Sequence, residues 1–377
     1  MEIKNLLAKF KHISDNPKEM LDKYISNGEK VIGCFPYYVP EELVEAAGMV
    51  PFGVWGGSKK ISLAKEYFAS FYCSLAQMNL EMGLNGTLDK LSGIIVTTLC
   101  DTLRPLSQNF RVGVPNIPFL FLNHPQNRKE DFGITYTKEI YSELLEKLVK
   151  ISGHSPSDED FVNAYNNYNE SRALRREFVK LAGKHPDKVS AVNRSAVLRS
   201  AYFMKKKEHS EMLKELNELL KKEEVKEWDG VKIVTSGIMV ENKALLEILD
   251  KHKVAIVADD VAHESRAIRV DVDLNEKDRV LALAKQFANQ DDDTILYDPT
   301  IYGRPKNVAN LVKESGAQGV IIFMMNFCDP EEMEYVSLKK ELEEEGIPMI
   351  KIGIDLQMED FGQAETSIQA FTDVIDF

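Results

Sequence analysis

The feature that most constrains this chain is the placement of its short, β-branched apolar runs. They fall in two blocks, and residues 157–226 between those blocks contain none. Residues 91–99 (LSGIIVTTL) are typical. Continuous runs of this kind suit strands buried on both faces, the environment of a parallel sheet covered by helices. In the first block the pattern predicts strands at 30–36, 49–55, 91–99 and 117–122, with helices at 40–47 and 64–83. Pro40 opens the first of these helices, Glu41 and Glu42 lie near its positive end, and Gly48 stops it. In the second block strands are expected at 231–236, 254–258, 320–324 and 349–353, and helices at 242–250, 306–315 and 330–345. Residues 290–302, with three consecutive aspartates, read as a loop.

Strands that alternate with helices imply βαβ units. The expected fold is therefore α/β: two doubly wound, Rossmann- or flavodoxin-like domains joined by a helical segment, with a site in the cleft between them. The boundaries are 1–156 for the N-terminal helices plus the first α/β domain, 157–226 for a connecting segment of two to four helices, and 227–377 for the second α/β domain. A length of 377 residues fits two domains better than one core.

Acidic residues number 60 and basic ones 47, a net charge of −13, which argues against a general nucleic-acid binder. The cluster Lys205-Lys206-Lys207 reads as a solvated helix face. No run approaches the roughly 18–20 apolar residues of a membrane helix. Residues 1–20 lack the features of a signal peptide, so a cytoplasmic protein without membrane partners is expected. Glycine-rich nucleotide fingerprints, the nucleophile-elbow motif and the H-E-x-x-H motif are all missing.

The chemistry then rests on four cysteines: Cys34, Cys73, Cys100 and Cys328. A reducing cytosol argues against disulfides, and no pair has C-x-x-C spacing. Cys100 and Cys328 share a context. Each follows an apolar strand that begins with glycine (Gly93, Gly319), precedes an aspartate (Asp101, Asp329), and opens a predicted helix; the two stretches differ in register by two residues. Sites in open α/β sheets form at this carboxyl edge. A helix N-terminus nearby favours the thiolate, the form that binds metal. Cys73 lies on a predicted helix or helix start. The plainer explanation, small buried apolar residues, applies to each cysteine taken alone. A zinc–thiolate site is a third reading.

Several blocks carry a family resemblance: 39–57 (VPEELVEAAGMVPFGVWGG), 68–74 (FASFYCS), 97–108 (TTLCDTLRPLSQ), 123–128 (NHPQNR), 259–272 (DDVAHESRAIRVDV) and 326–332 (NFCDPEE). Together they resemble the 2-hydroxyacyl-CoA dehydratase family, and its β subunits most closely; benzoyl-CoA reductase subunits belong to the same superfamily. The resemblance implies a heterodimer with an α subunit, a [4Fe–4S] cluster held by Cys73, Cys100 and Cys328, and an ATP-hydrolysing iron–sulfur activator that injects an electron. It implies a hydro-lyase of anaerobes that converts a 2-hydroxyacyl-CoA to a 2-enoyl-CoA, this chain's cluster relaying the electron. Elimination from that thioester is hard for ordinary acid–base catalysis, because the carbonyl does not acidify the β proton. One added electron makes a ketyl radical anion, which expels hydroxide and renders that proton acidic.

Cys34 is the departure from a three-cysteine pattern. At a strand end it can approach the cluster, and as a fourth ligand it would close it. Asp101 and Asp329 read as helix caps or as neighbours of the ligands. His124 and Arg128, and His263, Glu264 and Arg266, follow strand ends and can face a cleft, a subunit interface or only the core. Gly56-Gly57-Ser58-Lys59-Lys60 suits a phosphate of CoA, although a surface turn explains it as well. Benzoyl-CoA reduction and a non-catalytic α/β module are the alternatives to dehydration.

Overall fold

A computed structural model describes residues 2–55, 60–240, 242–290 and 303–375. Two helices come first, α1 (Glu2–Asp15) and α2 (Pro17–Ser26). The first α/β unit follows: β1 (Val31–Phe35), α3 (Glu41–Ala46), β2 (Val50–Gly53), α4 (Ser74–Leu84), β3 (Gly93–Thr97), α5 (Leu103–Gly113) and β4 (Phe119–Leu122). Then come four helices without a strand: α6 (Asp131–Ser152), α7 (Asp158–Lys184), α8 (Ala191–Ser200) and α9 (Lys206–Lys221). The second unit is β5 (Val231–Gly237), α10 (Lys243–Lys251), β6 (Val254–Val261), α11 (Arg279–Ala288), α12 (Gly303–Ser315), β7 (Gly319–Met325), α13 (Asp329–Glu344), β8 (Met349–Ile354) and α14 (Gly362–Ile375).

Both sheets are parallel, ordered β2-β1-β3-β4 and β6-β5-β7-β8. Each places its second strand on one side of the first and its third on the other, consistent with two Rossmann-like units. Strands β3 and β7 are therefore equivalent. Strand β7 has seven residues and β3 five, which accounts for the two-residue offset between the Cys-Asp pairs. The central strands β1, β3 and β7 are buried throughout, whereas the edge strands β4 and β8 are only partly so. Edge strand β2 carries Pro51 and is capped by the chain after α8, where Gly53 N–H donates to the Tyr202 carbonyl at 2.8 Å.

Helix α7 packs on α3 of the first unit and on β6 of the second. Helix α1 shares a core with α7, α8 and α9 through Leu6, Leu7, Phe10, Phe178, Val197 and Leu213. No described helix is long and apolar enough to cross a membrane. The predicted helix from residue 64 is a short 3₁₀ turn at Leu63–Glu66, and α4 starts only at Ser74. Phe68, Ser70, Phe71 and Tyr72 are poor helix formers, so this stretch breaks away. The predicted loop at 290–302 lies outside the described residues, apart from Gln290.

Two buried ionic groups hold the carboxyl ends of β5 and β6. Arg194 of α8 pairs with Asp259 and Glu264. Arg304 of α12 donates to Asp260 and Ser236, each at 2.7 Å, and pairs with Glu334. Burial pushes Glu264 up to about 7; Arg194 opposes that shift and Asp259 adds to it. Between about 4.5 and about 7 the folded chain holds a proton the unfolded chain has released, so this contribution to stability declines as pH rises through the window. The stability of the wild type relative to Glu264→Gln is expected to fall by roughly 2–3 kcal/mol between about pH 5 and pH 8. His124 and His209, held near 3 by burial, act with the opposite sign but are common to both proteins. Urea melts at a series of pH values measure the difference. A flat difference would mean that Glu264 stays ionised beside Arg194.

Candidate cluster-binding site

Strand order reverses between β1 and β3, and again between β5 and β7, so each sheet has its crevice there. Cys100 follows β3 and Cys328 follows β7, one at each crevice. Cys73 is the N-cap of α4, and Cys328 is the N-cap of α13. Cys100 lies two residues before Thr102, the N-cap of α5. Backbone N–H groups at each helix start favour the charged form of the adjacent sulfur: Leu75 and Ala76 for Cys73, Thr102 and Leu103 for Cys100, Glu331 for Cys328. Three helix N-termini thus present three thiols from both units.

The thiols share one apolar cluster, with Leu75, Val96, Leu99, Leu103 and Met325 among its members. Burial pushes Cys73 up to about 12, and the charge of Cys100 adds to the rise. Burial also raises Cys100, with Asp101 and Asp329 adding to it, and raises Cys328 well above the thiol range, with Glu331, Cys73 and Cys100 adding to it. A negative charge on one thiol therefore opposes ionisation of the next, and the N–H donors only partly offset this. Only a bound cationic group makes three thiolates stable together. Among the described residues no trio of His, Cys, Asp or Glu closes as tightly as around one ion. A soft sulfur donor set, three helix N-termini and a half-exposed mouth at Cys73 and Cys100 fit an iron–sulfur cluster.

Contacts far apart in sequence hold the arrangement. Leu356 N–H donates to Ser74 Oγ at 3.0 Å, and that hydroxyl lies 3.7 Å from Met325 Sδ. The start of α4 is thereby fixed to β7 and to the end of β8. Phe327, just before Cys328, has φ +64, a conformation rare for an aromatic residue. It turns the chain sharply between β7 and α13. Ser74, Phe327 and Glu331 lie in blocks that carry the family resemblance, but nothing in the sequence assigns them these contacts or marks Arg304.

Cys34 lies elsewhere. It faces a separate core with Ile32, Leu43, Val44 and Leu120, and its Sγ is 3.7 Å from the Ile32 carbonyl. Alternation along β1 puts residues 32 and 34 on the opposite face from Val31 and Phe35, which lie in the core shared with the other cysteines. Asp101 and Asp329 are exposed and are not the caps: Thr102 and Cys328 hold those positions. His124 is buried, stacked on Phe287 at 4.3 Å and 3.1 Å from the Tyr141 hydroxyl. Arg128 is buried and donates to the Phe287 and Gln290 carbonyls at the end of α11. His263 Nδ1 lies 3.0 Å from the Ile238 carbonyl, and Arg266 donates to the Gly237 carbonyl. With Glu264 on Arg194, all five are buried and hold the fold. Residues 56–59 of the suggested phosphate loop lie outside the described residues; Lys60 is exposed.

The sequence model of the family described as 2-hydroxyglutaryl-CoA dehydratase, D-component, matches residues 36–375. The chain belongs to that family. Among relatives of this dehydratase family, the β subunit of the (R)-2-hydroxyglutaryl-CoA dehydratase of Acidaminococcus fermentans is 51% identical, over 99% of this chain and all of its own length. The (R)-phenyllactyl-CoA dehydratase β subunit of Clostridium sporogenes is 44% identical over 97% of both chains. The lactoyl-CoA dehydratase β subunit of Anaerotignum propionicum is 37% identical over 99% of both. Within the dehydratase family's span lie all three converging cysteines.

Proposed function

We propose that this chain is the β subunit of a 2-hydroxyacyl-CoA dehydratase, a hydro-lyase, working with an α subunit and an ATP-dependent iron–sulfur activator. The observation that carries the reading is the meeting of Cys73, Cys100 and Cys328 at three helix N-termini in a chain that matches dehydratase β subunits end to end. These cysteines would hold a [4Fe–4S] cluster, which when bound supplies a low-potential electron. The chain's own part is to keep three thiolates in a mostly apolar setting and to orient them. Helix N-termini of α4, α5 and α13 stabilise the sulfur charge. Ser74 and the turn at Phe327 fix the spacing between the two units. No acid–base pair for the elimination is assigned here: Asp101 and Asp329 are exposed, and Glu331 is tied to the Met325 N–H and to Arg304. Exposed Phe71 and Phe327 flank the cysteines in sequence and suit a subunit contact.

The test is activity under strict anaerobiosis, with α subunit, activator and ATP, on (R)-2-hydroxyglutaryl-CoA, phenyllactoyl-CoA, lactoyl-CoA and benzoyl-CoA. Formation of an enoyl-CoA that needs both subunits, activator and ATP is expected. Reduction of benzoyl-CoA without any dehydration would reassign the chain to the reductase branch.

A further inference from the structure

A cavity of about 70 Å³ lies where the loop after β1 meets α7, the start of α9 and α11; the four cysteines do not line it. Among the described residues its charged lining consists of Arg172, Arg175 and Lys206 against Glu41 and Glu42. Buried charges are normally paired, because an unpaired one carries most of its desolvation cost. Arg172 pairs with Glu42 at 2.7 Å, and Lys206 with Glu41 at 2.8 Å. Arg175 has no carboxylate partner among the described residues. It is 5% exposed, its Nε donates to the Ser171 carbonyl at 3.3 Å, and the neighbouring Tyr202 hydroxyl donates to the His263 carbonyl at 2.5 Å. Glu45 does not line the cavity, and its carboxyl accepts from Asn167 at 2.6 Å. The described lining thus has three cations and two anions, with the surplus charge on a guanidinium beside the cavity.

We propose that this cavity binds a small carboxylate anion against Arg175. A guanidinium takes a planar two-oxygen anion in a matching fork. The rings of Tyr37, Tyr38, Tyr168 and Phe287, beside Gln286 and Gln290, supply the apolar part of the wall, which suits a short carbon chain. Tyr38 is held at φ +59, an uncommon conformation for a tyrosine. One water needs roughly 10–15 Å³ measured this way, so the space takes a few heavy atoms and excludes a nucleotide or CoA. The lining comes from the first unit, from α7 and α9, and from α11 of the second unit. An occupant would therefore tie the two units together and stabilise the fold by mass action. This site does not depend on the cluster or on the proposed dehydration.

The full chain, freed of carboxylate buffers, is titrated with acetate, propanoate and lactate while melting temperature and binding heat are followed. Sodium chloride at matched ionic strength is the control. A saturable rise with at least one carboxylate, absent with chloride and weakened about tenfold or more in Arg175→Gln, is expected. Equal response to chloride, no saturable response in the wild type, or undiminished affinity in Arg175→Gln would overturn the proposal. Should Arg175→Gln fail to fold, wild-type crystals soaked in 3-bromopropanoate decide. An anomalous bromine peak in the cavity beside Arg175 supports the site, and an empty cavity overturns it.

Discussion

Reconstituted under anaerobic conditions, the wild-type chain is expected to bind about four irons and as many sulfides, while Cys73→Ala, Cys100→Ala and Cys328→Ala each lose most of both. Each thiol sits at a different helix start, so no neighbour can replace a missing one. Cys34→Ala is expected to keep the full complement, because its side chain packs on the other face of the first sheet. That variant should show only a cavity effect on stability, on the order of 1 kcal/mol. Iron and acid-labile sulfide analysis, with circular dichroism to confirm folding, checks all four. Iron retained in any of the three converging variants, or lost in Cys34→Ala, would require a different ligand set. A colourless wild type, co-expressed with its partner, would remove the cluster altogether.

The second large effect concerns Arg304. Its guanidinium faces Asp260, Glu331 and Glu334, all buried. Arg304→Met leaves Glu331 and Glu334 without their ion-pair partner, while Asp260 keeps Arg269 at 3.0 Å and Arg266 at 3.8 Å, and a loss of about 3–5 kcal/mol is expected. Burial already pushes Glu331 up to about 7 against the pull of Arg304. Without that pull its carboxyl holds a proton to still higher pH, so the loss should grow as pH rises and the acids are forced to ionise. Adding Glu334→Gln to Arg304→Met should recover part of it, since one buried charge then disappears. Denaturant midpoints of the single and double variants at two pH values measure this. Glu331 and Glu334 both lie on α13, so the same variant should also disturb Cys328 at that helix's start and lower iron occupancy. A loss below about 1 kcal/mol would show that this network is not what anchors α13.

The fold class was legible because strands buried on both faces cannot hide their composition. The runs at 91–99 and 320–324 contain β3 and most of β7. The glycine-to-Cys-Asp parallel was visible too, but its meaning was not. Two equivalent strands of different length produce the offset, and strand length is set by how far each neighbour extends. Helix α11 was missed, although Asp278 caps it by accepting from Leu281 N–H. Its ten residues lie next to an aspartate-rich stretch that suggested a loop. Helix α4 starts later than expected because a run of aromatic residues precedes it.

Period-two alternation along β1 already said that Cys34 and Ile32 share a face. It did not say which face the other cysteines approach, because that depends on how helices are laid over the sheet. The histidines and arginines after strand ends were read as able to face a cleft. Their burial follows from partners distant in sequence, such as Phe287 and Gln290 for Arg128, 159 and 162 residues away, and Arg194 for Glu264, 70 residues away. By itself, then, the sequence determined what is local: composition, periodicity, helix-start residues and the blocks that mark the family. Only the tertiary structure decided which helix N-termini converge, which face Cys34 takes and where Arg175 meets a cavity with no counter-ion among the described residues. Those depend on long-range packing, in which each residue's partners are chosen by topology and not by its neighbours in the chain.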